Sequence, residues 1–508
     1  MDYKNSVGRD QLHIVNLEML IPDDDIVRIV DLFVDFLDLK ELGFTYSEPK
    51  RLGSKSYDPK RMLKTHIFGY MEGVRSSREL EKAINRNTHY MWLMNLQKPS
   101  YKTISDFRKD NIESIKLVFM VFNRVCIEAK LMDFKLVSLD GTFIDAVNHN
   151  SNNTSKNKIN RMLKKIENKF DKDNAPYLKK SKNNKKLSDN RLGFLREDMA
   201  PLEKKERLEN LAEELDQKEE TQMSLTDPDS RMMHKRGSKT DVCYNAQLVI
   251  DSKYNLIGYC GVYSNTNDAR LLHEVLSGFK FEYGLNKFAV VADKGYGVGE
   301  EIKKCNDLGI ETFVPMMTNE GYPNTPFSTS QFKYDEEKNC FICPDGKMLP
   351  FVSQDKKGAR KYGHKKICEG CEHLKQCTAE NKQMYRSISL NKYHDVIKSQ
   401  IEKNKENPDI LEQRKCMAEH PFGTIKRTMN QGFFLTKGLE SVNGGFTSTS
   451  LAYNIKRVYN ILGFDNMKAA IMAYFRRDPS TLLIFVQNLI IHSKTALNLF
   501  SWDYKIAC

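Results

Sequence analysis

The first 125 residues place apolar and polar side chains at the spacing of helices. In IPDDDIVRIVDLFVDFLDL, acidic residues stand where a helix would begin and an apolar stripe follows them. Asp58 precedes Pro59 as a possible N-cap, and Ser76 and Glu79 have the spacing of a capping box. Another helix opens in SYKTISDFRKDN. We therefore predict an all-helical domain over residues 1–125, suited either to docking on DNA or to dimerisation.

At residue 134 the pattern changes to that of strands. FKLVSLDGTFIDAV is rich in β-forming residues, and YNAQLVIDSKYNLIGYCGVYSN predicts two strands joined by a turn at Asp251–Asn255. A helix (TNDARLLHEVLSGF), a buried strand (KFAVVADKGYG), a helix (GEEIKKCNDLG) and a short strand (IETFVPMM) follow. Strands that first pair and then alternate with helices indicate a mixed α/β sheet covered on both faces, here over residues 130–330.

Two segments interrupt this pattern. Residues 151–190 hold 12 Lys and Arg against 4 acids, a net charge of +8, and the next stretch is charged and helix-prone. We predict a basic helical insertion over 150–235, whose lysines belong either to a solvated linker or to a surface that follows a phosphate backbone. The second interruption is a cysteine-rich segment at 331–385. Residues 395–508 return to helical patterns, and no internal repeat indicates a solenoid.

Composition narrows the class of protein. With 508 residues, 40% hydrophobic and 29% charged, the chain is an ordinary globular protein and neither disordered, fibrous nor membrane-embedded. No apolar run reaches the roughly 18 residues of a membrane helix, and MDYKNSVGRD has no signal-peptide core, so we expect a cytoplasmic protein with no membrane partner. The formal charge of +12 favours a polyanionic partner without identifying it.

Two aspartates stand in or beside predicted buried strands. Asp140 lies in VSLDGT and Asp293 ends the strand in VVADKGYG. An ionised carboxylate loses hydration in such a position, so two of them in one sheet suggest a divalent cation between them, and Mg²⁺ prefers oxygen ligands. The alternative is that each aspartate only caps a turn. Spacing alone leaves three competitors nearby: Asp145, Asp251 and Asp268.

A third acid, Glu419, lies in the predicted basic helix RKCMAEHPFGTIKRTM. Lys415 is four residues before it and Lys426 seven residues after it, which places both cations on the face of the glutamate if the helix is continuous. Such a face could hold a metal ion between phosphate-binding lysines, although Lys/Glu pairs at this spacing also decorate many solvated helices. Pro421 weakens the argument, because a helix can begin or kink there.

The cysteines point to a second metal. Cys340 and Cys343 form one CxxC pair and Cys368 and Cys371 another, an arrangement that favours tetrahedral thiolate-bound zinc. The sequence therefore predicts a zinc-ribbon-like insertion with structural Zn²⁺. A degenerate ribbon that no longer binds metal is the alternative. Three further side chains are spare candidates for ligands: Cys377, His364 and His373.

The motifs DGT at Asp140, ADKGYG at Asp293 and EHPFGTIK at Glu419 together resemble bacterial insertion-sequence transposases of the DDE class. Within that class they are similar to the branch named for insertion sequence 1182, which is distantly allied to the groups of insertion sequences 4 and 5. RLGSKSYDPKRMLKTHIFGYMEGVRSSRELEKAI and PSYKTISDFRK resemble the helical domain that opens many such proteins, and YNAQLVID and TND also match. The resemblance covers most of the chain, with its motifs in the expected order.

This resemblance implies an α/β fold with an RNase H-like catalytic core and a triad of acids that binds Mg²⁺ or Mn²⁺. Matched motif by motif, the triad is Asp140, Asp293 and Glu419, with Asp140 bridging two ions. Lys426 matches the lysine of a Tyr-Arg-Glu-Lys signature around the glutamate, whose arginine position holds Lys415 here and whose tyrosine is missing. The expected DNA-binding residues are Arg414, Lys415, Lys426 and Arg427.

The implied activity is metal-dependent nicking of DNA at the element's ends, followed by strand transfer. The implied partners are double-stranded DNA, as terminal inverted repeats and target, and further copies of the chain in a dimer or larger synaptic complex. We expect a bacterial cytoplasmic protein that joins the nucleoid when it binds DNA.

Two rival functions are an RNase H-like nuclease without strand transfer and a domesticated, non-catalytic DNA-binding protein. His420 is more easily explained as a structural residue than as a DNA contact.

Overall fold

The structure is a computed structural model, and it describes residues 16–47, 56–148, 152–172, 201–217, 222–235, 237, 240–316, 327–356, 358–378 and 385–477. The chain divides into two compact units. The first unit comprises Met1–Asn267, Gly278–Leu285 and Cys416–Cys508, and the second comprises Asp268–Ser277 and Asn286–Lys415. No described helix is both long enough and apolar enough to cross a bilayer.

Helices build the amino-terminal part of the first unit. They are α1 (Ile26–Asp35), α2 (Pro59–Met71), α3 (Ser77–Arg86), α4 (Thr88–Leu93), α5 (Tyr101–Asp110) and α6 (Ile112–Glu128), after a 3-10 turn at Leu17–Leu20.

The predicted helix starts are confirmed by the caps. The Asp58 side chain accepts a hydrogen bond from the N–H of Lys60, with Pro59 in the first turn. Ser76 accepts one from the N–H of Glu79 at 3.2 Å. Each cap satisfies a backbone donor that the first helical turn leaves without a partner.

The sheet of the first unit is antiparallel and centred on β5 (Thr240–Asp251). One edge of β5 pairs with β1 (Leu136–Asp145), so that Asp140 stands opposite Leu248. The other edge pairs with β4 (Arg231–His234) and then with β6 (Ile257–Tyr263). The predicted β5–turn–β6 hairpin is therefore confirmed, and every residue of β5 after Thr240 is buried.

The carboxy-terminal helical segment α15 (Leu439–Arg477) consists of two helices separated by non-helical backbone at Gly463, and it packs against α6, α2, α1 and β6. Buried amides tie these elements together. Asn454 of α15 accepts from the N–H of Ile257 and donates to the Asn123 Oδ1 of α6, both at 2.8 Å. The predicted helices beyond residue 477 lie outside the described residues.

Part of the basic segment at 151–190 is a helix rather than a linker. Strand β2 (Asn153–Ser155) leads into α7 (Lys156–Lys172), which packs on α8 (Pro201–Gln217) beside β3 (Gln222–Ser224). Ile159, Leu208 and Leu215 are fully buried in the small core between them. The apolar stripes of the two helices explain why they associate. Residues 173–200, which hold the rest of the basic run, lie outside the described residues.

The second unit begins with an α/β arrangement. Strands β7 (Phe288–Ala292) and β8 (Ile310–Phe313) are parallel and joined through α10 (Gly299–Asp307). Helix α13 (His394–Glu406) packs on β8 and α10, and its Gln400 amide binds both the hydroxyl and the carbonyl of Thr312. The boundary between the units falls within α9 (Leu272–Tyr283) and within α14 (Pro408–Arg427).

The cysteine-rich segment folds into an antiparallel sheet in the order β13-β12-β11-β10-β9. Its strands are β9 (Lys333–Asp335), β10 (Cys340–Ile342), β11 (Met348–Gln354), β12 (Arg360–Tyr362) and β13 (Ile388–Leu390). Two short helices, α11 (Lys365–Cys368) and α12 (Leu374–Cys377), cover its core.

Candidate functional site

Asp140 lies in the middle of β1, and its side chain is half-buried. Its Oδ1 accepts a hydrogen bond from the N–H of Gly141 at 3.0 Å. Because successive residues of a strand point to opposite faces, Asp140 and Thr142 share one face of β1. The carboxylate of the DGT motif is thus held on a rigid strand and is not withdrawn from water.

Lys426 of α14 reaches this face of β1. Its ammonium donates to Thr142 Oγ1 and, at 3.3 Å, to the carbonyl oxygen of Phe143. Burial lowers the pKa of Lys426, Lys235 acts in the same direction, and Asp145 and Asp140 oppose them. Lys426, which the sequence predicts only as a DNA contact, therefore links α14 to the strand that carries Asp140.

Asp145 ends β1 in an ion pair. Lys235 binds its carboxylate and also lies 3.5 Å from Asp241, while Cys243 Sγ lies 3.3 Å from Asp145 Oδ1. Lys235 lies in the basic sequence MMHKRGSK, and the structure pairs this lysine with acids, so the position of the Asp145 carboxylate is explained without a metal ion.

The loop after α14 is anchored to the end of β1. Phe433 forms a parallel bridge with Asp145, and the N–H of Phe434 donates to the Asp145 carbonyl at 2.8 Å. Buried Arg75 donates to Gln431 Oε1 at 2.7 Å and to the Phe433 carbonyl at 3.1 Å. These contacts fix the carboxy-terminal end of α14 relative to β1 and therefore the helix that carries Glu419.

Glu419 is exposed on α14, which continues through Pro421. The expected interruption at the proline does not occur, so Glu419 and Lys426 share a helix face and are separated by two turns, about 10.5 Å along the axis. Lys426 docks on β1 and Glu419 projects from the same face nearer the start of the helix.

His420 has a structural role, as its sequence context favoured. Its Nδ1 lies 3.0 Å from the Tyr453 hydroxyl, which in turn donates to the carbonyl of Asn255 at 3.0 Å. Its Nε2 lies 3.3 Å from Arg457. Burial, assisted by the Arg457 charge, lowers the pKa of His420. The ring is therefore held between α14, α15 and the β5–β6 turn.

Asp293 belongs to the second unit and directly follows β7. It caps a 3-10 turn, Lys294–Tyr296, and its Oδ1 accepts from the N–H of Gly295 at 2.7 Å. A methyl group placed on Gly295 would lie 2.8 Å from Asp293 Oδ1 and 3.7 Å from Asp268 Oδ2. Asp268 of the TND motif is thus a neighbour of Asp293. In the sequence, the position of Asp268 in a polar turn was the signal for this residue.

The expected DNA-binding side chains have different surroundings. Arg427 is exposed, Arg414 is half-buried, and the side chain of Lys415 lies outside the described residues. Lys426 is engaged with β1 as described above.

The donor chemistry of the three acids suits a hard cation. Asp140 and Asp293 are half-buried and Glu419 is exposed, so all three present hydrated carboxylate oxygens, the ligands that Mg²⁺ prefers. Within the part of the chain that the structure describes, no three His, Cys, Asp or Glu side chains stand together as a ready metal site.

The cysteines are brought together differently from the predicted pairs. Cys343, Cys368, Cys371 and Cys377 line one cavity of about 30 Å³, and Cys340 is not among its lining residues. Burial raises the pKa of Cys377 to about 11; Arg386 opposes this, and the other three thiols of the cavity reinforce it. Cys377, a spare candidate in the sequence, lines this cavity, and the predicted set of zinc ligands stays a prediction.

Comparison with known families gives two matches. Residues 15–110 match a family described as "Transposase domain (DUF772)", and residues 342–459 match one described as "Transposase DDE domain". The second match includes Glu419 and Lys426 but not Asp140 or Asp293. Searches of curated proteins and of solved structures found no match. The mixed α/β architecture is consistent with an RNase H-like core, and the two family matches support a DDE-type transposase.

Proposed function

We propose that the protein is the transposase of an insertion sequence in the branch named for insertion sequence 1182. It binds the element's terminal inverted repeats as double-stranded DNA, nicks them and transfers the strands to target DNA. The observation that supports this best is the docking of α14 on β1 through Lys426, because it joins the helix of Glu419 to the strand of Asp140. The docked part of α14 lies within the DDE domain match.

Asp140, Asp293 and Glu419 are the residues that would hold Mg²⁺ or Mn²⁺. When bound, two such ions activate a water or a 3′-hydroxyl and stabilise the leaving oxygen of the scissile phosphodiester. The chain's own contribution is to orient these acids. The N–H of Gly295 orients Asp293, and β1 places Asp140.

Lys426 acts as a positioning residue in this proposal. Its ammonium binds the Thr142 side chain and the Phe143 backbone, two and three residues beyond Asp140, and adds a positive charge close to that acid. Arg427, exposed at the next position, is free to meet DNA phosphates as the helix approaches the duplex. In this arrangement two or more copies of the chain hold the two element ends.

The test is cleavage and joining of labelled element-end DNA in Mg²⁺ by wild type and by Asp140→Ala, Asp293→Ala and Glu419→Ala. Glu412→Ala is the matched control for Glu419, because Glu412 is exposed on the same helix two turns earlier. We expect each of the three variants to lose at least about 1000-fold in nicking rate while still binding DNA, and the control to cut normally.

Each other outcome has a definite meaning. A triad variant that nicks as fast as wild type removes that residue from the triad. Nicking without any joined product would identify a nuclease instead of a transposase. DNA binding without nicking by the wild type in either Mg²⁺ or Mn²⁺ would leave the non-catalytic DNA-binding protein as the correct reading.

A further inference from the structure

The cavity of the cysteine-rich sheet is lined by four thiols that come from two turns and from the ends of two short helices, α11 and α12. We propose that Cys343, Cys368, Cys371 and Cys377 form a tetrathiolate site for structural Zn²⁺, and that Cys340 is not a ligand. The site lies wholly within the second unit, and it is independent of the acids assigned to DNA cleavage.

The first thiol is presented by a tight turn after β10. The N–H of Cys343 donates to the Lys347 carbonyl at 2.9 Å, and the N–H of Gly346 donates to the Cys343 carbonyl at 2.8 Å, with Gly346 at φ +74°. The N–H of Lys347 then points at Cys343 Sγ, 3.3 Å away. A backbone donor aimed at sulfur stabilises a thiolate, the form of cysteine that binds metal.

The other three thiols come from one continuous segment. Cys368 ends α11, and the N–H of Cys371 donates to its carbonyl at 3.2 Å across a turn with Gly370 at φ +72°. The N–H of Leu374 donates to the Cys371 carbonyl at 3.1 Å, and α12 then carries the chain to Cys377. One turn and one helical turn thus direct three thiols to the same cavity.

Two cations and one carboxylate, Asp345, line this cavity, and the cations would balance the charge of an anionic metal–thiolate centre. Four thiolates and one Zn²⁺ carry a net charge of −2. Arg386, which is buried, donates to the Cys377 carbonyl at 3.1 Å, and its Nε is a buried donor with no hydrogen-bond partner in the described residues. Lys347 lines the same cavity and lies 3.4 Å from Asp345. Both cations stabilise the charged centre.

Cys340 is excluded by the register of β10. Phe341 points into the core of this sheet, so its neighbour Cys340 points to the opposite face. Cys340 is buried there, away from the cavity. The CxxC spacing therefore pairs it with Cys343 in sequence but not in space.

The cavity, about 30 Å³, has room for one ion. The thiols lie around it without yet standing at ligand distance, so binding requires side-chain rotations that bring each sulfur to about 2.3 Å from the metal. His373 also lines the cavity, but its ring stacks on Phe327 with centroids 5.1 Å apart. Cys377 is therefore the fourth ligand in preference to His373.

The experiment measures zinc content and Zn²⁺ affinity of the full chain, purified under reducing conditions, for wild type, Cys377→Ser and the matched control Cys340→Ser. We expect one zinc per chain in wild type and in the control. Cys377→Ser should bind Zn²⁺ roughly 100-fold more weakly or worse, since one of four thiolate ligands is lost. Cobalt substitution of wild type should give the spectrum of a four-sulfur tetrahedral site.

A second measurement on the wild-type chain is independent of whether the variants fold. Alkylation mapped by mass spectrometry should label Cys343, Cys368, Cys371 and Cys377 only after a chelator removes the metal, and the labelling of Cys340 should not depend on the chelator. Zinc-free wild type, chelator-dependent protection of Cys340, or a cobalt spectrum with a nitrogen ligand would each overturn the proposal. Zinc bound normally by Cys377→Ser would do the same.

Discussion

The buried side-chain amide of Asn454 connects three elements of the first unit. It accepts a hydrogen bond from the N–H of Ile257 and donates to both the Ile257 carbonyl and Asn123 Oδ1, all at 2.8 Å. Asn454, Ile257 and Asn123 have no exposed surface, so water cannot replace any of these bonds. One side chain therefore joins α15, β6 and α6.

Asn454→Ala removes these bonds and leaves two orphaned groups. The Ile257 carbonyl keeps a second donor, the Asn123 amide at 3.0 Å, but the Ile257 N–H and Asn123 Oδ1 lose their partners. A buried polar group left without a partner costs about 1–3 kcal/mol, so we expect the free energy of unfolding to fall by roughly 2–6 kcal/mol.

Urea unfolding monitored by far-ultraviolet circular dichroism gives this change, and hydrogen exchange reports it locally at the amide of Ile257. The matched control is Asn466→Ala, since exposed Asn466, beyond the break in α15 at Gly463, binds only the Leu462 carbonyl among the described residues. The control should change stability by less than about 1 kcal/mol. If Asn454→Ala unfolds at the same urea concentration as the control and the Ile257 amide stays protected, the assigned network is wrong.

Three further predictions concern pH, positioning and DNA. Burial, assisted by the charge of Arg108, lowers the pKa of His66 to about 3 from 6.5. The neutral ring therefore stabilises the fold fully above pH 6.5, and this stability is lost as the pH falls toward 3. At pH 5 the free energy of unfolding should be lower by about 2 kcal/mol, and urea denaturation of His66→Gln should not show this pH-dependent loss. The same dependence of unfolding free energy on pH in the two proteins would contradict the prediction. Lys426→Met should lower the nicking rate on the order of 100-fold and raise the Mg²⁺ concentration needed for half-maximal rate, and Lys426→Arg should partly restore both. An unchanged Mg²⁺ dependence would refute a positioning role. Arg427→Ala should reduce the slope of log affinity for DNA against log salt by about 0.9, a change absent in Lys303→Ala, and an unaltered slope would show that Arg427 contacts no phosphate.

The local elements of this protein follow from its sequence because they depend on neighbouring residues. An N-cap needs only a side-chain oxygen two or three residues before a free N–H, and Asp58 and Ser76 both supply it. The strand and helix spacing around DGT and ADKGYG likewise located β1 and β7. The helix at Lys156–Lys172 was harder to predict, because its charges resemble those of a linker and its apolar stripe is buried only by packing on α8.

The sequence by itself determined the amino-terminal helices, the strands around the DGT and ADKGYG motifs and the acids they carry, since hydrogen bonding and periodicity act over a few residues. Tertiary structure alone decided which distant side chains meet. Lys426 reaches Thr142 across 284 positions because α14 is tied to the end of β1, and Lys235 neutralises Asp145 because of strand register. In the same way, strand alternation turns Cys340 away from the cavity that Cys343 lines, and the helical turn of α12 brings Cys377 to that cavity. Such pairings are set by how whole elements pack, which no short window of sequence contains.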